Sequence, residues 1–197
     1  MQFLKENEDW IQEHLREIRM KRVRIEQKLD EHKGELLLRG QWKPVKISPL
    51  NGASPTAIFR EREEHIELHT NFNGLSSIPH DLLEQFYRKL AKREIPDLCK
   101  KWGTSMPVSY NRIYIRSQRT KWGSCSGKKN LSFNWRLMKC PPLVTNYLVV
   151  HELCHLKEFN HSKAFWSLVE HYFPQQEQAR KWIDENEDLI FRDLWIR

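Results

Sequence analysis

The feature that most constrains this 197-residue chain is the run Tyr147-Leu148-Val149-Val150-His151-Glu152-Leu153-Cys154-His155. Two histidines four apart share one face of a helix, so both imidazoles can converge on a single ion. The apolar residues around them predict a buried helix from about Leu143 to Phe159, opened by Pro141 and Pro142. Glu152 lies a fraction of a turn away, able to act on a water at the metal without ligating it. This is the logic of H-E-x-x-H, in which zinc lowers the pKa of a water and the glutamate takes its proton. A catalytic zinc keeps three protein ligands and one open position. His161, six residues after His155, supplies the third, with Asn160 turning the chain through left-handed backbone. The expected site is one catalytic Zn2+ held by His151, His155 and His161, with Glu152 as general base.

The spacing HELCHLKEFNH equals that of the metzincins, but Glu158 stands where they need glycine and no methionine follows His161. A thermolysin-like site would recruit Glu170 or Glu177 and leave His161 unexplained. A second grouping, His65-Ile66-Glu67-Leu68-His69, puts two histidines and a glutamate on one strand face. No further ligand accompanies it, so it reads as the polar side of a strand whose Ile66 and Leu68 are buried.

Around this centre the chain divides into a small N-terminal part, residues 1–75, and a metal-bearing domain, residues 76–197. The first holds an exposed helix over Asn7–Glu31, a hairpin over Glu35–Ile47 turning at Gly40-Gln41, and strands at Ala57–Arg60 and His65–His69. It is expected to pack on the metal-bearing domain. The second opens with a helical stripe over Asp81–Trp102 that Pro96 kinks or restarts. Strands come next at Tyr110–Gln118 and Leu131–Leu137. In the latter, Leu131, Phe133, Trp135 and Leu137 alternate with Ser132, Asn134 and Arg136. Trp122-Gly123-Ser124-Cys125 reads as a tight turn with a buried tryptophan and thiol, and Cys154 as core packing. Ser126–Asn130 is turn chemistry, Ser162 caps a helix closed by Pro174, and a last helix occupies much of Gln175–Ile190.

Hydrophobic residues at 39%, with eight Trp and nine Phe, are enough for a buried core. No apolar run approaches the roughly 20 residues that span a bilayer. The opening MQFLKENEDWIQEHL carries acids and lacks the apolar core of a secretory signal. Cys99, Cys125, Cys140 and Cys154 form no CxxC pair and read as reduced thiols, so a cytoplasmic protein without membrane partners is expected. The net charge of +7 is uneven: residues 86–129 carry twelve Lys and Arg against Glu94 and Asp97. Such a band, interleaved with Trp102, Tyr110, Tyr114 and Trp122, suits either a solvated face or nucleic acid. The alternative function is thus a basic nucleic-acid-binding module with a structural zinc. Against it, structural zinc is closed by four ligands rich in cysteine.

RTKWGSCS (Arg119–Ser126), LSFNWRL (Leu131–Leu137), the double proline, YLVVHELCHL (Tyr147–Leu156) and NHSKAFW (Asn160–Trp166) together resemble the YgjP-like zinc metallopeptidases, relatives of the SprT-like and WLM zincins. The resemblance is specific from about Tyr110 to Trp182. It implies an α+β zincin fold, with a small mixed or antiparallel sheet packed on the metal-bearing helix. It also implies zinc on His151, His155 and His161, catalysis by Glu152, and a peptide or protein substrate. The family's opening strand hairpin has little room before Trp10, which implies an abbreviated N-terminal part. In zincins a strand beside the cleft binds substrate by strand addition, and Leu131–Leu137 is the strand expected there, with Ser132 and Asn134 facing outward. The SprT-like and WLM relatives further imply a protease acting on DNA-associated proteins, for which the basic band would serve.

Overall fold

The computed structural model describes residues 7–52 and 54–191 and divides the chain into two units, one ending at Lys33 and one beginning at Gly34. The first is a single helix, α1 (Glu8–Glu31), with Glu8 and Asp9 in its first turn, where they complement the helix dipole. Trp10 stacks on His14, and Arg22 pairs with Glu26 one turn on.

The second unit opens with a sheet of order β1-β2-β4-β3: β1 (Glu35–Leu38), β2 (Gln41–Pro49), β3 (Ala57–Glu61) and β4 (Ile66–Thr70). β1 and β2 are antiparallel, and Leu38 pairs directly with Gln41 across a two-residue turn. That turn is Arg39-Gly40, one position earlier than the sequence pattern suggests. Both residues have positive φ, 49° and 79°, the backbone that matches the twist of a hairpin. Gly40 is required twice over, since a Cβ there would lie 2.8 Å from Cβ of Pro141. β2 runs parallel to β4, and β3 antiparallel to it. Only one face of β4 is buried, with Ile66, Leu68 and Thr70 inward.

α2 (His80–Ser105) continues through Pro96 instead of restarting there. Leu83, Phe86, Tyr87, Leu90, Ala91, Ile95 and Cys99 recur at helical spacing along its buried stripe. The hydroxyl of Tyr87 donates to the carbonyl of Leu37, and the amides of Arg39 and Gly40 donate to the carbonyls of Met138 and Lys139. The β1–β2 hairpin is thereby bonded to the later part of the unit.

A second sheet of order β5-β7-β6 combines β5 (Ile113–Arg116), β6 (Gly123–Cys125) and β7 (Leu131–Asn134). β7 is parallel to β5 and antiparallel to β6. Within Trp122–Cys125, residues Gly123–Cys125 therefore form a strand rather than a turn, and Trp122 and Cys125 are half-buried. β7 stops at Asn134, whose side chain accepts from the amide of Arg136 and starts a 3-10 helix over Trp135–Lys139. Arg136, expected on a polar strand face, is instead buried with its guanidinium 4.3 Å over the ring of Trp135.

α3 (Pro142–Cys154) is buried on nearly every side by Val144, Tyr147, Leu148, Val149, Val150, Leu153 and Cys154. α4 (Lys163–Tyr172) and α5 (Gln176–Phe191) complete the chain's described elements, α4 capped by the Ser162 hydroxyl accepting from the amide of Phe165. The architecture is α+β. Among the described residues no helix is long and apolar enough to cross a membrane.

Candidate active site

α3 ends earlier than its pattern predicts, at Cys154, with His155 as its C-cap in right-handed helical geometry. The chain then tightens. The amide of Leu156 reaches the carbonyl of Leu153, and those of Lys157 and Glu158 both reach Cys154. Short-range bonds of this type close a helix end without a left-handed residue. Asn160 is not in left-handed geometry; among the described non-glycine residues, positive φ belongs to Arg39, Pro107 and Lys129. The reversal nonetheless returns His161 to the helix face that carries His151 and His155.

The three imidazoles close a near-equilateral triangle, with ring centroids 4.9, 5.1 and 4.8 Å apart. One ligand atom from each lies within 4.8 Å of the others, and Nε2 of His151 and Nε2 of His161 are 3.1 Å apart. Among the described residues this is the one grouping of three or more His, Cys, Asp or Glu so arranged. The face of β4 carrying Glu67 and His69 forms no such cluster. Nδ1 of His155 meets the carbonyl of Glu158 at 3.0 Å, which orients the ring and leaves Nε2 for a metal. Phe165, fully buried, stacks on His155 at 4.4 Å, and Trp166 stacks on His161 at 5.6 Å. A single turn of α4 thus backs two of the three rings.

Burial sets the protonation states. It pushes the His151 imidazolium down to about 3, helped by His155, His161 and Arg180, and burial likewise lowers His155. His151 is thereby held neutral, its lone pair free to ligate. Glu152, only 5% exposed, is pushed up to about 8 by burial, opposed by the nearby cation of Lys121. Its Oε2 is buried without a hydrogen-bond partner. A buried carboxyl oxygen left open on the residue next to His151, together with three converging imidazoles, fits a divalent ion with a taste for nitrogen and a water at its free position.

Other residues at this centre carry no motif of their own. Arg180 lies 4.8 Å over the ring of Trp166 and acts on both His151 and Tyr147. β6 abuts Glu152 through Gly123. A lone glycine between a tryptophan and a serine was the available signal for that contact, and nothing in the sequence says what it faces.

Of the two cleft residues expected on β7, Asn134 departs from its expected outward orientation and is fully buried. Its amide nitrogen donates to the carbonyls of Gln118 and Lys121, so it ties down the loop before β6 and is closed to a substrate. Ser132 is half-buried opposite Ser124. β7 is the central strand, paired on both sides, so it has no free edge for strand addition; the edges belong to β5 and β6. The basic band is partly consumed within the fold. Arg88 bonds Glu84 and the carbonyl of Ile115, and Arg93 bonds Glu94.

An α+β unit with three converging histidines and a buried glutamate on the helix that carries the first of them defines a metallopeptidase-type domain. The chain belongs to the YgjP-like family, metallopeptidase domain, which matches it over residues 1–186. Among curated proteins it is similar to the UTP pyrophosphatase of Escherichia coli (strain K12), 34% identical over 77 residues. That stretch is 37% of this chain and 46% of the relative, so it spans about half the relative's length. Among solved structures it is similar to the metallopeptidase zymogen abylysin of Pyrococcus abyssi, with 24% identity, 48% of this chain and 92% of that chain covered, and a TM-score of 0.42. It is similar also to the zymogen jannalysin of Methanocaldococcus jannaschii, with 25% identity, 49% and 97% covered, and a TM-score of 0.42. At these TM-scores the fold assignment rests on the family match and on this chain's own geometry.

Proposed function

We propose that the chain is a zinc-dependent hydrolase of peptide bonds in which Glu152 is the general base. The observation that carries this reading is the buried, unpartnered Oε2 of Glu152 on the helix that carries His151, where three imidazoles converge. His151, His155 and His161 would hold the ion, and no fourth protein ligand closes the site among the described residues, as an open catalytic position requires. Zinc, when bound, supplies Lewis acidity at the scissile carbonyl and lowers the pKa of a coordinated water. Glu152 receives a proton from the attacking water on Oε2 and later delivers it to the leaving amine. The carbonyl of Glu158 fixes the tautomer of His155, and Phe165 and Trp166 keep bulk water from the backs of the rings. The test is Glu152→Gln, assayed on a panel of denatured proteins with the bound zinc counted. One ion per chain with hydrolysis lost supports the reading, and full activity in this variant rejects it.

A second reading has its own support. Arg180 on Trp166 and Lys121 beside Glu152 place cations around the site, suited to an anionic substrate. The curated relative is named for the hydrolysis of UTP. The same base and ion could direct water at a phosphoanhydride. Pyrophosphate release from UTP by wild type, lost in Glu152→Gln and without cleavage of any protein in the panel, would favour it. The reading in which DNA-associated proteins are the substrates requires hydrolysis that DNA stimulates and salt reverses.

A further inference from the structure

The Gly123 position carries the strongest unassigned feature of this site. An ideal Cβ built there would lie 2.6 Å from Oε1, 2.7 Å from Cγ and 2.8 Å from Cδ of Glu152. Side-chain carbons do not approach so closely, so the carboxylate occupies the space that any other residue at 123 would fill. Glycine is not needed here for its backbone. The described glycines with positive φ are Gly34, Gly40 and Gly74, and Gly123 sits in an ordinary strand opposite Phe133. What the position requires is the absence of a side chain.

The wall behind Gly123 is held on several sides. β7 pairs with it along the strand, and the amide of Asn134 donates to the carbonyl of Trp122 at 2.8 Å. The side-chain amide of Asn134 holds the preceding loop at Gln118 and Lys121. The indole of Trp122 donates to Glu187 of α5 at 2.9 Å, and its ring meets Phe191 edge-on at 4.6 Å. β6 cannot back away from an added methyl without breaking these contacts. The side-chain end of Glu152 is the movable partner in this contact, so an added methyl displaces the carboxylate.

We infer that Gly123 is the positioning residue for Glu152: bare backbone at the start of β6 seats the carboxylate beside the histidine triad, and Asn134 and Trp122 clamp that backbone in place. This rests on Glu152 being the general base. The WGSC segment thereby gains a role, which is to aim the base. Displacing a reacting group by about 1 Å can cost about a hundredfold in rate without loss of binding.

The experiment is a double-mutant cycle read in two ways. Gly123→Ala is made in the wild-type and Glu152→Ala backgrounds, with Gly123→Ser as a larger step. In the wild-type background Gly123→Ala is expected to lower kcat about a hundredfold, with KM and zinc affinity changed less than about threefold. Its melting temperature should fall by about 5 °C, the scale of an overpacked site in a domain this size. In the Glu152→Ala background, where the carboxylate is gone, the same methyl should cost almost nothing. An equal fall in both backgrounds overturns the seat, because the methyl would then be clashing elsewhere. Wild-type kcat in Gly123→Ala overturns the aiming role. A wild type inert towards both peptides and UTP would sink the hydrolase reading instead, and the thermal cycle would still judge the contact.

Discussion

At the scale of single residues, the chemistry resides in charges and lone pairs whose environment differs from water. Glu152 and the triad show this most plainly, and Arg39 shows the same physics in a structural setting. Its guanidinium bonds Glu61 and also Glu94, all three partly buried, while its backbone sits at φ 49°. Burial raises the Glu61 carboxyl, but the Arg39 hydrogen bond, with Lys43 and Arg93 nearby, more than offsets this and holds it below its usual range. A carboxyl depressed in the folded state contributes stability above its unfolded value, near 4.5, and loses it as pH falls through the folded value. Urea unfolding at pH 6 and at pH 3.5 should therefore show a larger acid loss in wild type than in Arg39→Ala. Arg39→Gly loses the same ion pairs but relieves the left-handed backbone, and should be about 1 kcal/mol more stable than Arg39→Ala. Equal stability of the two would mean that the turn is not strained.

At the scale of elements, the site is one helix backed by another. α3 presents His151 and, at its C-cap, His155, and α4 supplies Phe165, whose ring stacks on His155 and meets His151 and His161 edge-on. Phe165→Ala should cost about 3–5 kcal/mol by leaving a cavity under the triad. Phe165→Leu keeps most of the volume and should cost about 1 kcal/mol. It should still weaken zinc binding about tenfold, because a flat ring no longer limits how His155 tilts. Competition with a chromogenic chelator reads this directly; unchanged affinity would assign Phe165 to the core alone. The helices were legible from their apolar spacing, since an i, i+4 rhythm is a local property. β7 was legible only in its first half. Alternation continues through Trp135 and Leu137, but Asn134 spends its side chain on Arg136 and the 118–121 loop, and the strand ends. Alternation records which residues are apolar, not which hydrogen bonds win.

At the scale of the molecule, the chain divides after Lys33, whereas its composition suggests a break near residue 75. The two boundaries make different predictions. A chain beginning at Gly34 should melt cooperatively and bind one zinc. One beginning at residue 76 would lose buried Leu36, Leu37, Leu38, Ile66 and Leu68, and the bonds from Arg39 and Gly40 to Met138 and Lys139. It should fail to fold, and circular dichroism with zinc titration of both fragments decides between the boundaries. Chelating the metal from the intact protein should lower its melting temperature by an amount that grows with zinc affinity, since the ion binds the folded triad.

Much of the centre was determined by sequence alone. His151, Glu152 and His155 are placed by helical periodicity, a geometry set within four residues and independent of the rest of the chain. His161 was foreseeable from its short tether, although the turn is closed by backbone bonds to Leu153 and Cys154 and not by Asn160. What only the tertiary structure decided is everything that approaches from a distance: the parallel pairing of β2 with β4, the burial of Asn134, Arg180 over Trp166, and Gly123 against Glu152. Those contacts join residues more than ten positions apart. No local rule of spacing specifies them, because they arise from how whole elements share one core.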